Sequence, residues 1–187
     1  MKYLAIFVFI FVSACQQADI TESVVFDNNR LAQISIDAKK IEINKIYKSI
    51  YTEPYIDHSL VNSPIKRLDS WINNNIKVFG LENKLEINIL DASIKKIEAI
   101  SENSKKFKEK NIFKYELFYL VEYNLLTNAD YVIATTIVES KRTTTSGRYI
   151  SILEKEKIID KLIWESLENI SIQSNTLLKK YMADYIL

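Results

Sequence analysis

Few side chains in this 187-residue sequence are equipped for covalent or acid–base chemistry. It holds one cysteine, Cys15, and one histidine, His58. Nucleophilic catalysis needs an activated Ser, Cys or Lys with a base within hydrogen-bond reach. His58 follows Asp57 in an aromatic-rich connection, and no Ser or Cys motif accompanies it. One His and one Cys are too few for a His/Cys zinc site. With Gly80 and Gly147 the only glycines, no Gly-rich phosphate loop can be built. The carboxylate pairs Glu154 with Glu156 and Glu165 with Glu168 sit in a Lys-laced segment and read as solvated helix surface. A glycosidase-like pair could still be contributed by segments remote in the chain. The expectation is a non-enzymatic protein with no cofactor and no metal site.

Cys15 has a more specific context. Lys2 supplies a positive start, Tyr3 to Val12 are a ten-residue apolar run, and Ser13-Ala14-Cys15 closes it with small residues. That is the layout of a secretory signal. An ordinary signal could also end at Ala14. A spanning helix needs about 20 apolar residues, and the uncharged run Tyr3 to Gln17 is shorter. Val12-Ser13-Ala14-Cys15 resembles the lipobox of bacterial lipoproteins. The resemblance implies cleavage before Cys15, acylation of its thiol (a palmitate-type chain among the acyl groups) and anchorage in a bacterial membrane. One chain binds marginally, whereas two or three hold stably. Gln16, rather than Asp, resembles outer-membrane sorting, so the expected place is the periplasmic face of the outer membrane.

The elements that follow must then supply a function. The expected organisation is a signal peptide over 1–14, a lipidated flexible tether over 15–30, and one periplasmic domain over 31–187. The formal net charge is +1 and loses its excess with Lys2, which gives no reason to expect nucleic acid as a partner. An acylated Cys15 leaves no thiol for a disulfide, so packing must stabilise the domain.

Leu31 to Ile46 alternates apolar and polar residues, with a phase change at Lys39-Lys40, and predicts a first strand with a bulge or bend. Pro54 and Pro64 bound a loop. Ser63-Pro64 is a helix start, and Ile65, Leu68, Trp71, Ile72, Ile76 and Phe79 recur at helical spacing until Gly80, read as the stop. Leu85, Ile87 and Ile89 begin a second strand that can extend through Ile97. Ser101 to Asn111 carries Lys105, Lys106, Lys108 and Lys110, a solvated connection or a basic membrane-surface patch.

Phe113 to Leu126 is the strongest strand. Phe113, Tyr115, Leu117, Tyr119, Val121, Tyr123 and Leu125 fall on one face; Phe118 and Leu120 interrupt the polar opposite face. A turn at 127–130 returns a fourth strand from Tyr131 to about Thr144. Ser151 to Glu154 is a capping box opening an amphipathic helix, with a break expected within Ile170 to Thr176.

The fold class expected is α+β: a two-layer sandwich with a mixed four-stranded sheet, in the order β-α-β-β-β-α, and both helices on one face. Phe118 and Leu120 would then mark a partner or ligand surface on the other face.

A lipidated N-terminus, this element order and a closing amphipathic helix resemble the auxiliary lipoproteins of ABC-type transport systems and the lipopolysaccharide-assembly lipoprotein, over most of Leu31 to Ile170. Locally, Pro54-Tyr55-Ile56-Asp57-His58, Pro64 with Trp71, and Leu90-Asp91-Ala92-Ser93 resemble an uncharacterised group of bacterial lipoproteins. Glycine is scarcer, and the tether longer and more polar, than these resemblances lead one to expect. They imply an accessory or docking component of an envelope machinery, membrane-held, with a protein partner. The alternatives are a carrier of an apolar ligand or lipid, held between sheet and helices or against Phe118 and Leu120, and a cell-wall-binding tether.

Overall fold

The computed structural model describes residues 24–100 and 111–187. The expected signal segment, Cys15 and the Lys-rich connection all lie outside the described residues.

Alternating apolar residues build the sheet. β2 (Lys40–Lys45), β4 (Lys84–Ile100), β5 (Asn111–Leu126) and β6 (Val132–Gly147) form a four-stranded sheet in the order β2-β4-β5-β6. β2 runs parallel to β4, and β4, β5 and β6 are antiparallel, so the sheet is mixed. α1 (Pro64–Asn75) and α2 (Ile152–Tyr181) both pack on the face that carries Tyr115, Leu117, Tyr119, Val121, Tyr123 and Leu125. Two hydrogen bonds tie the layers. The Tyr119 hydroxyl donates to the Pro64 carbonyl at 3.2 Å, and the Tyr123 hydroxyl meets Ser174 Oγ at 2.9 Å. The fold is α+β, with both helices on one face of a mixed sheet.

The phase change at Lys39-Lys40 separates two strands rather than bending one. β1 (Ile34–Ile36) leaves the main sheet and pairs in parallel with β3 (Ile76–Val78), a second, two-stranded sheet. This corrects the first helix, which ends at Asn75 and not at Gly80. Ile76 keeps its buried place, but Phe79 is exposed. Helical spacing over 76–79 is compatible with either element, and backbone pairing with β1 decides between them. Gly80 is not a helix stop; an added Cβ there would collide with the Asp37 carboxylate and lie 2.6 Å from the Ala38 nitrogen.

A second correction concerns α2, which is continuous through Ile170 to Thr176. Serines weaken helices because their hydroxyls compete for the backbone. Here Ser171 donates to Glu168 O and Thr176 to Ile172 O within the helix, while Ser174 pairs across to Tyr123. Small buried side chains at 166, 171 and 174 let the helix lie close to the sheet. The Ser151–Glu154 capping box is formed at its start.

A bulge between Ile89 and Asp91 inverts the phase of β4. Leu85, Ile87 and Ile89 face the helices before it; Ala92 and Ile94 do so after it. Asp91, Ser93, Lys95 and Ile97 are thereby turned to the other face. Trp71, Tyr115, Tyr119 and Tyr123 fill the space between the layers and are fully buried.

Candidate functional site: the open face of the sheet

The face turned away from the helices is an ordered grid. Across β4, β5 and β6 its rows read Lys95–Glu116–Thr143, Ser93–Phe118–Lys141 and Asp91–Leu120–Glu139. Phe118 and Leu120 are half-buried among these neighbours, so each apolar side chain is flanked by polar groups on both adjoining strands. Ile137, exposed on β6, extends the apolar patch diagonally from Leu120. A depression of about 220 Å³ is lined by Tyr55, Asp91, Ser93, Lys95, Glu116, Phe118 and Lys141.

Local structure fixes each wall. Asp91 sits at the bulge and its carboxylate accepts the Ser93 N–H at 2.8 Å. Segment 54–56 lies along the edge of β4 beyond the end of β2: Ile56 N–H donates to Ile94 O and Lys96 N–H to Pro54 O. That contact carries Tyr55 to the rim, where Lys95 Nζ lies 5.0 Å from its ring centroid. Lys114 Nζ pairs with Glu116 at 2.6 Å, and this hydrogen bond holds the Glu116 carboxyl below its ordinary range.

Above the patch runs a polar ladder that sequence reasoning missed. Asn44 donates to Asn88 at 2.9 Å, and Asn88 donates to Glu86 at 2.9 Å and to Glu122 at 2.8 Å. Asn124 donates to Glu122 at 3.0 Å and accepts from Thr135 at 2.5 Å. Six side chains from all four strands thus lock one end of the open face. Alternation placed them on that face; their pairing depends on strand register, which no single strand displays.

The other candidates resolve as surface or packing. His58 is exposed, its Nδ1 placed to donate to the Ile50 carbonyl at 3.0 Å, and its ring lies tilted against Tyr51 with centroids 5.1 Å apart. Asp57, beside it in sequence, is buried facing Tyr47. The two interact through charge without reaching hydrogen-bond geometry; burial first, then the Asp57 charge, push the Tyr47 hydroxyl well above its ordinary value. Glu154 is spent in the capping box, and Glu165 faces Arg142 at 3.3 Å and Lys161 at 3.9 Å. Among the described residues no group of three or more His, Cys, Asp and Glu side chains is placed to hold a metal ion. No described helix is long and apolar enough to cross a membrane.

One more residue escaped the sequence reading. Phe26, inside the expected tether, packs edge-on against Trp164 at 5.7 Å, with the Arg67 guanidinium 3.7 Å above its ring. Asn75 donates to the Asn28 and Leu31 carbonyls and holds the same segment.

No protein-family model matches the chain, and no curated protein sequence matches it. Partial likenesses in fold exist among solved structures. A minor lipoprotein from Acinetobacter baumannii is 9% identical, over 76% of this chain and 93% of its own, with a TM-score of 0.41. Rare lipoprotein B from Shewanella oneidensis is 13% identical, over 76% and 97%, at 0.39. A neuraminyllactose-binding hemagglutinin homolog from Helicobacter pylori is 10% identical, over 86% and 97%, at 0.46.

Proposed function

We propose that this protein is a lipid-anchored envelope lipoprotein that works by docking, not by catalysis. Cys15 carries the acyl chains, the outer membrane holds them, and the open face around Phe118 and Leu120 receives an envelope protein partner. The observation that carries the docking reading is the placement of two half-buried apolar side chains on a sheet face that no described element covers. Apolar residues there are not needed for the core, which Tyr115, Tyr119 and Tyr123 already fill from the opposite side. Alternating polar neighbours suit a polypeptide surface that offers both hydrogen bonds and apolar contacts.

The tether complements this arrangement. Val24 and Phe26 pack on the domain core, Phe26 clamped between Trp164 and Arg67. From Cys15 to Phe26 an extended chain spans at most about 40 Å, so the partner surface stays close to the membrane.

The carrier reading differs in its ligand. With the layers filled by aromatic side chains, a lipid chain would have to lie against Phe118 and Leu120 in the shallow depression. Replacing both by Ser and recovering the tagged protein from cross-linked cells separates the readings. Loss of a co-recovered envelope protein is the docking outcome; loss of bound lipid without a protein is the carrier outcome. Unchanged recovery of both overturns the use of this face. Separately, Cys15→Ser should move the protein out of the membrane fraction, and retention there would contradict the anchor.

A further inference from the structure

β6 is the last strand of the sheet, and none of the described strands pairs with its outer edge. Edge strands are usually short, bulged or interrupted by proline, because a free row of N–H and C=O groups recruits other chains. Charged side chains, Lys above all, also guard edges; over Val132–Gly147 the guards of β6 are a register shift at its first residues and the charges at its centre, and those charges can pair with a complementary strand. The strand contains no proline and is dominated by β-branched residues, with one charged cluster, Glu139, Lys141 and Arg142, at its centre.

We propose that β6 pairs antiparallel with β6 of a second copy about a two-fold axis at Ser140, joining two sheets into one of eight strands. Charge selects that register. In an antiparallel pair, residues equidistant from the axis stand opposite each other on the same face. An axis at Ser140 sets Glu139 against the second copy's Lys141, twice by symmetry. It also sets Ile137 against Thr143 and Thr135 against Thr145 on the open face.

Moving the axis one residue toward the N-terminus places Glu139 against Glu139. One residue toward the C-terminus, Lys141 meets Lys141; two residues toward it, Arg142 meets Arg142. Directly opposed like charges destabilise a sheet pair. The favoured register also lies at the middle of the strand, so it uses nearly the whole edge.

Because the axis is perpendicular to the sheet, both open faces look the same way. Glu139, Ile137 and Lys141 are exposed in one copy, so forming the contact does not unpack its core.

The test is the oligomeric state of the full chain in mild detergent, by sedimentation velocity at micelle excess. The wild type should sediment as a dimer. Lys141→Glu, which opposes Glu139 with Glu at both contacts, should raise the dissociation constant by about tenfold or more, and so should Glu139→Lys. Combining the two exchanges the charges and should restore the dimer. Circular dichroism checks that each exposed-site variant is folded; if one is not, Glu139→Gln and Lys141→Gln replace the reversals, each expected to weaken the dimer to a smaller degree. A monomeric wild type, a dimer insensitive to these changes, or a charge exchange that fails to restore association would overturn the proposal.

Discussion

At the scale of single residues, one hydrogen bond reports whether the helix layer is seated on the sheet as described. The Tyr123 hydroxyl and Ser174 Oγ are both buried and satisfy each other at 2.9 Å. Tyr123→Phe strands the Ser174 hydroxyl and should cost about 1–3 kcal/mol in chemical denaturation. Adding Ser174→Ala removes the orphan and should recover much of that loss, a coupling that a double-mutant cycle reads directly.

The same tyrosines set an alkaline limit. Burial raises the Tyr119 and Tyr123 hydroxyls far above their ordinary values. Their unfolded counterparts ionise near pH 10, so above that pH the unfolded state has lost protons that the folded state still binds. Stability should therefore be full below about pH 10 and fall as pH rises beyond it. A denaturant midpoint that stays flat from pH 9 to 11 would contradict this burial.

At the scale of elements, the alternation in β5 made the strongest strand plain because its residues in the main core, Tyr115 to Leu125, share one parity. The two helix starts were equally plain, since Ser63-Pro64 and the Ser151–Glu154 box are each local signals confined to a few adjacent residues. What stayed hidden depends on distant partners. β3 follows α1 without a break in apolar spacing, and only pairing with β1 defines it. Within α2, the Ser174 hydroxyl is satisfied by Tyr123, some fifty residues away.

Phe118 and Leu120 were legible as exceptions to alternation. Their neighbours Asp91, Ser93 and Lys95 were not, because the bulge after Ile89 changes which face β4 presents. Phe26 was hidden in a polar stretch whose average character suggested only a spacer.

Gly80 tests the corrected end of α1. A helix-ending glycine resists Ala through a left-handed backbone, but no described glycine has a positive φ. Because its Cα abuts Asp37 and Ala38, Gly80→Ala must push the β3 exit away from the β1 exit. The expected cost is about 1–3 kcal/mol, read as a shift in the denaturation midpoint. A midpoint within a few tenths of a kcal/mol of wild type would mean that this close approach is absent.

At the scale of the molecule, the two faces of the sheet divide the work. One is consumed by the helices and fixes the fold. The other carries an ordered grid in which a locked polar ladder, anchored by Asn88 and Asn124, borders an apolar patch at Phe118, Leu120 and Ile137. Rigid support beneath a small apolar patch favours docking, since little side-chain or backbone freedom is left to lose on binding.

The most direct measurement is site-specific photo-cross-linking in intact cells from position 120, compared with position 172 on the exposed side of α2. The docking account predicts a discrete adduct between position 120 and an envelope protein, weakened by Phe118→Ser and missing from position 172. No protein adduct from position 120, or the same adducts from both positions, would contradict it.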